Sequence, residues 1–357
     1  MTKPLRVAIV GCGRMGAFTR PELRERLGPR WLPLNYAEAV AAVDGLELTA
    51  FCDLDAEALR RAQETHGVAA GYDDHRRMLA DERPDIVVVA TRTRERPQIL
   101  IDAAESGVRG LHGEKPLSTS LAETRSVAEA LTSNGTAFTY GTLRRYMPMY
   151  HEAAAELAAG RIGELQQIVV KFGRGALLWT HAHSVDLLCR FAGTAEARSV
   201  QSLLDLSPEA VSGRRIDADP VVLSASIHFA NGCLGTITVG AGLDLELMGS
   251  NGQLTIYGDG AWRWLQPAPE QSPEGEPPPL EPQRPASPLS PTVLALQELR
   301  DCLRGRRRPS LGIAEVVAQQ RLLFAIAESH LLGGAAINPE EVDERLQVTG
   351  LTHGRLV

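Results

Sequence analysis

The sequence predicts an α/β domain followed by an α+β domain, and three observations predict it. Short apolar runs (LRVAIV, LELTAFCD, DIVVVAT, VRGLHGEK, TAFTYGT) recur through the first 140 residues, separated by amphipathic stretches. Runs buried on both faces and spaced by helices are what a parallel sheet covered by helices requires. The first run ends in a glycine-rich turn, Gly11-Cys12-Gly13-Arg14-Met15-Gly16. Further on the pattern changes to IGELQQIVVKF, VVLSASIHFA, GCLGTITVG, LDLELMG and QLTIYG, alternating or β-rich runs broken by NG and SNG turns, the pattern of hairpins.

The 357 residues exceed what a single core usually holds. The expected division is 1–140 for a dinucleotide-binding domain of Rossmann type, with a doubly wound parallel sheet. Residues 141–357 would form a substrate and oligomerisation domain with a large, mostly antiparallel sheet. A net charge of −7 offers no basic surface for nucleic acid or anionic lipid. The five cysteines (Cys12, Cys52, Cys189, Cys233, Cys302) show no paired spacing, which argues against a disulfide framework and for a reducing cytoplasm. No apolar run is long enough for a signal peptide or a membrane span.

GxGxxG directly after a strand has a mechanical meaning. The first glycine permits a tight turn, the second lets a diphosphate approach the backbone, and the third lets helix and strand pack closely. Arg14 and Met15 lie between them. Asp53, at the end of the second run, is placed to take both hydroxyls of an adenosine ribose and to repel a 2′-phosphate, which favours NAD over NADP. The spacing is long: from Gly16 to Asp53 is 37 residues (53 − 16), where about 20 is usual. The excess lies in residues 20–45. Pro21 is expected to kink or stop the first helix, Gly28 to Pro33 reads as a loop, and Asn35 with Glu38 reads as a capping box that opens a new short helix. This is an inserted loop and helix within an intact motif.

Loops after the carboxyl ends of strands line the cofactor crevice in such a sheet. Two segments qualify, Thr91-Arg92-Thr93-Arg94-Glu95-Arg96 and Glu114-Lys115-Pro116, so Thr91 and Glu114 should line the cofactor and Lys115 should lie near the nicotinamide. With GCGRMG, Cys52-Asp53, Glu114-Lys115-Pro116, Leu143-Arg144-Arg145-Tyr146-Met147-Pro148 and Gly160-Arg161-Ile162-Gly163-Glu164, the chain resembles the Gfo/Idh/MocA oxidoreductases over most of its length. The resemblance implies an NAD-dependent enzyme acting on sugars, cyclitols, sugar nucleotides or related polyhydroxylated molecules. It also implies a second domain whose sheet packs against a partner subunit, hence a homodimer or homotetramer. Residues 266–291, rich in proline, glutamate and serine, read as an exposed loop, and helical periodicity resumes after it.

The stretch ALLWTHAHSVDLL (176–188) carries the second group of candidates. Members of the family place an Asp four residues before a His, and another Asp three residues after it. Here the His matches His183 and the later Asp matches Asp186; Trp179 stands in place of the first Asp, and His181 in place of a small residue. The resemblance implies that His183 transfers a proton to or from a substrate hydroxyl while hydride moves, and that Lys115 polarises the same oxygen. Imidazole and a partly buried lysine suit these tasks. Asp186 either orients the imidazole or caps the packing against another helix. Two histidines one residue apart lie about 200° apart on a helix and could share a metal ion only on a strand or loop, so no metal is expected. Trp179 either stacks on a sugar ring or fills the core. Arg92, Arg94, Arg145, Trp179 and His181 are candidate substrate contacts; an anionic substrate would explain Arg92, Arg94 and Arg96, and solvated arginines at a helix entrance explain them nearly as well. A redox-neutral enzyme that retains its NAD (an epimerase, lyase or glycosidase) stays open beside the dehydrogenase, as does a non-catalytic NAD-binding regulator.

Overall fold

The computed structural model describes residues 3–27, 29–259, 262–267 and 290–350. The chain divides into two compact units, one of Met1–Tyr146 with Pro288–Val317 and Leu351–Val357, the other of Met147–Ser287 with Ala318–Gly350.

The first unit is built on six strands, β1 (Leu5–Val10), β2 (Leu46–Cys52), β3 (Ala70–Tyr72), β4 (Ile86–Val89), β5 (Gly110–Gly113) and β6 (Ala137–Tyr140). They pair in the order β3-β2-β1-β4-β5-β6, every pairing parallel. All four residues of IVVV in β4 are buried, as expected of a strand covered on both faces. Helices α1 (Pro21–Leu27), α2 (Tyr36–Ala41), α3 (Ala56–His66), α4 (His75–Glu82), α5 (Arg96–Glu105) and α6 (Leu121–Ser133) connect the strands. The order of strands reverses direction between β1 and β4, so the loops after those two strands open the crevice in which such sheets bind ligands.

The second unit carries α7 (Pro148–Ala158), β7 (Leu165–Lys171), α8 (His181–Ala192), β8 (Ala197–Asp205), β9 (Val211–Ser212), β10 (Arg215–Ile216), β11 (Val221–Phe229), β12 (Leu234–Thr238), β13 (Asp244–Gly249), β14 (Gly252–Tyr257) and β15 (Trp262–Pro267). Seven strands form one sheet in the order β15-β14-β13-β7-β12-β11-β8. All of its pairings are antiparallel except β12 with β7. The NG at 231–232 turns β11 into β12, with Gly232 at φ 92°, and the SNG at 250–252 joins β13 to β14. Helix α8 packs on β7 and β12; on β12, Gly235 leaves room for Leu188 of α8, which a β-carbon would meet at 3.2 Å.

Most of the proline-rich stretch read as a loop, residues 268–289, lies outside the described residues, while at its ends Gln266 and Pro267 belong to β15 and Ser290 and Pro291 open α9 (Pro291–Leu303). Helix α9 packs on α2, β5 and β6. Helix α10 (Ile313–Leu331) and β16 (Gln347–Val348) follow; β16 pairs with β10 in a small sheet that β9 completes. No helix among the described residues is long and apolar enough to cross a membrane.

Candidate active site

The three glycines of the motif stand in three different geometries. Gly11 has φ 98°, and a β-carbon there would come within 2.8 Å of the Ala90 carbonyl group at the end of β4. Gly16 could not carry a β-carbon either, since it would fall on the Gly11 carbonyl. Gly13 is different: a β-carbon there would meet nothing within 4 Å. Its open face is the cradle a diphosphate needs. Asp53 is clamped across the motif, Oδ2 accepting from the Cys12 amide at 2.6 Å and Oδ1 from the Asp55 amide at 2.9 Å.

Between the motif and Asp53 lies the explanation of the long spacing. After Gly13 the chain makes one turn over 14–17 and then leaves the helical path. It returns at α2, where the amide of Tyr36 donates to the Met15 carbonyl (2.7 Å) and that of Ala37 to the Gly16 carbonyl (3.0 Å). In an unbroken helix those carbonyls would take the amides of residues 19 and 20. Tyr36 thus stands where residue 19 would, an excess of 17 residues (36 − 19), and removing it from the 37-residue spacing leaves about 20, the usual value. Asn35 caps α2 as expected, accepting from the Glu38 amide at 2.9 Å. The Glu38 side chain binds Arg24 in the inserted segment. Pro21 corrects the sequence reading: it opens α1, because a residue with no N–H and a fixed φ suits the first helical position as well as it breaks a later one. The segment predicted as a loop is in part a 3-10 turn, Pro29–Trp31; Gly28 lies outside the described residues.

At the carboxyl end of β5, Glu114 is buried and its Oε2 accepts from the Lys115 amide at 3.1 Å. Its Oε1 accepts from the Tyr36 hydroxyl. The Lys115 side chain keeps part of its surface open, yet its ammonium is desolvated enough that burial lowers its pKa to about 7, opposed by Glu114 and assisted by Arg14, Arg96 and Arg144. Of the three alternating arginines at the start of α5, Arg92 and Arg94 are exposed. Arg96 is buried, and its guanidinium donates to the Thr91 and Pro116 carbonyls, tying the loop after β4 to the loop after β5. Arg145 is also buried and donates to the Ser310 carbonyl at 3.1 Å. Arg144 lies over the Trp31 ring of the insertion, 5.7 Å from its centroid.

In the second unit, α8 begins at His181, so His181 and His183 share one helix and point to different sides of it. His181 is fully buried, with Nδ1 2.9 Å from Ser184 Oγ. His183 retains 9% exposure. Asp186, one turn on from His183, accepts at Oδ1 from Gln319 Nε2 of α10 at 3.0 Å. Trp179 is 38% exposed just ahead of the helix, in a turn held by Asp219, whose carboxylate accepts from the Leu178 and Trp179 amides at 2.8 and 2.9 Å.

Within the first unit, then, the structure gathers Gly11, Gly13, Gly16 and Asp53 at the motif and Thr91, Glu114 and Lys115 around Arg96. Sequence reasoning missed Tyr36, His112, Asp219 and Gln319. Arg96 corrects its reading as a solvated or anion-binding arginine: it is buried, because the Thr91 and Pro116 carbonyls take up its guanidinium.

Residues 5–142 match the family model described as "Oxidoreductase family, NAD-binding Rossmann fold". The chain is 30% identical over 165 residues to a scyllo-inositol 2-dehydrogenase (NAD(+)) of Bacillus subtilis, covering 46% of this chain and 43% of that protein. It is 29% identical over 161 residues to a D-apiose dehydrogenase of Paraburkholderia graminis, covering 45% and 38%. The chain therefore spans less than half the length of these curated relatives. The crystal structure of myo-inositol 2-dehydrogenase from Lactobacillus plantarum superposes with a TM-score of 0.69 at 22% identity, over 94% of this chain and 99% of that one, a likeness of fold. Residues 5–142, the stretch that folds into the six-stranded parallel sheet, are similar to the NAD-binding Rossmann domain of the Gfo/Idh/MocA oxidoreductases.

Proposed function

We propose that this protein is an NAD-dependent oxidoreductase that moves a hydride between nicotinamide and a secondary alcohol or ketone of a cyclitol, sugar or sugar derivative. The observation that carries the reading is Lys115: a desolvated ammonium with its pKa brought to about 7, at the carboxyl end of β5, in the unit that holds the glycine cradle and the clamped Asp53. Gly11, Gly13 and Gly16 admit the diphosphate, with Arg14 and Met15 beside it, and Asp53 takes the ribose hydroxyls. Lys115 donates to the reacting oxygen, and His183 gives or accepts the proton. Trp179 offers a flat apolar face to a sugar ring. Arg92 and Arg94, both solvated at the entrance of α5, are available to an anionic group on the substrate. The inositol and apiose dehydrogenases among the relatives support the substrate class.

Titration of the purified protein with NAD and NADP, followed by oxidation and reduction assays on a panel of sugars and cyclitols, tests the reading. No turnover of any panel member by the NAD-bound protein would overturn it. NAD is expected to bind more tightly than NADP, because the Asp53 carboxylate is held in place by two amides and no arginine stands next to it in CDLDAE. Tighter NADP binding would remove Asp53 from the ribose.

A further inference from the structure

We propose that Tyr36, the residue at which the insertion rejoins its helix, is a positioning residue that holds the Glu114 carboxylate beside Lys115, so that the insertion supports the reacting centre. The proposal rests on the assignment of Lys115 to the reacting oxygen. Four side chains from three separate stretches of the sequence form one chain of hydrogen bonds. Thr139 Oγ1 lies 2.9 Å from His112 Nδ1, His112 Nε2 lies 2.7 Å from the Tyr36 hydroxyl, and that hydroxyl meets Glu114 Oε1. All four are buried.

Chemistry fixes the direction of the chain. A carboxylate only accepts, so the single Tyr36 proton goes to Glu114 and the phenol oxygen accepts from His112 Nε2–H. Burial pushes the His112 pKa down to about 3, so the ring is neutral; with its proton on Nε2, Nδ1 accepts from the Thr139 hydroxyl. Each donor polarises the next, and the series ends on the carboxylate. Among the charged groups acting on the Lys115 ammonium, Glu114 favours it, whereas Arg14, Arg96 and Arg144 oppose it. After burial, which acts most strongly, the placement of Glu114 is therefore the next influence on how readily Lys115 holds its proton.

The chain has three lysines, Lys3, Lys115 and Lys171, which makes a direct titration practical. In the full-length protein labelled with ¹³C-lysine, the Lys115 signal is the one lost in Lys115→Met. Tyr36→Phe removes the donor that fixes Glu114 Oε1, so the carboxylate is free to turn away and its favourable field on the Lys115 ammonium weakens. The Lys115 midpoint should fall in Tyr36→Phe, and fall further, by about one pH unit, in Glu114→Gln. A purely structural role for Tyr36 would lower Tm and leave the midpoint where it is; an unchanged or raised midpoint in folded Tyr36→Phe overturns the proposal. A second measurement needs no variant: ¹⁵N spectra of the wild type should find His112 protonated on Nε2, and a proton on Nδ1 overturns it too. Both readouts are made without substrate. Shifted midpoints in a protein that turns over no sugar or cyclitol would keep the positioning role and reject the catalytic assignment.

Discussion

Lys115→Met is expected to lower kcat on the order of 10²- to 10⁴-fold, the range for removing a positioned proton donor, while NAD affinity changes little. The separation follows from the proposed assignments: the cofactor grip is assigned to the backbone at Gly11–Gly16 and to Asp53, whereas Lys115 is assigned to the reacting oxygen. Loss of NAD binding in the folded variant would move Lys115 to a cofactor role. Methionine also replaces an ammonium that burial disfavours, so the fold should tolerate it. The sign of the pH effect can be worked out. With the Lys115 pKa at about 7 in the folded protein and about 10.4 in the unfolded chain, the unfolded state binds more protons between those values. Stability contributed by this group therefore rises with pH across that window and is lost as pH falls toward 7. Thermal scans should show this component in the wild type and not in Lys115→Met. Ketone reduction, which uses the ammonium as donor, should slow as pH rises above about 7.

His183→Ala is expected to produce a fall in kcat of similar size, on the order of 10²- to 10⁴-fold, with little change in KM. Trp179→Ala should do the reverse and chiefly raise KM, because a stacking face binds ground state and transition state alike. The two neighbouring histidines give an internal control. His181 is fully buried against Ser184, so His181→Ala should act on stability, costing about 1–3 kcal/mol for the polar group left behind, and lower Tm. If His183→Ala is nearly silent and His181→Ala abolishes turnover in a folded protein, the proton passes through His181.

What the sequence made legible was local. The strand runs, the NG hairpins and the Asn35 cap are each decided within a few residues, and each is present. Pro21 was read in the wrong sense because the same ring that ends a helix also starts one. The contacts that organise the site are long-range: Tyr36 to Glu114 spans 78 positions and Asp186 to Gln319 spans 133. Nothing in the local pattern marks either pair. Nor could composition tell which of Arg92, Arg94 and Arg96 would be buried, since the answer lies in the carbonyls of Thr91 and Pro116 that converge on Arg96.

The interrupted helix has a consequence in polymer terms. Because the chain leaves after Gly16 and returns at Tyr36 onto the same hydrogen-bonding ladder, the segment between is a closed excursion whose ends are fixed by the helix itself. The entropy of closing such a loop grows only with the logarithm of its length, about 0.6 kcal/mol for each doubling. Residues can therefore be added or removed around α1 without moving Gly13 or Asp53. The scaffold can change what lies around α1 at small thermodynamic cost while the glycine motif and Asp53 keep their places.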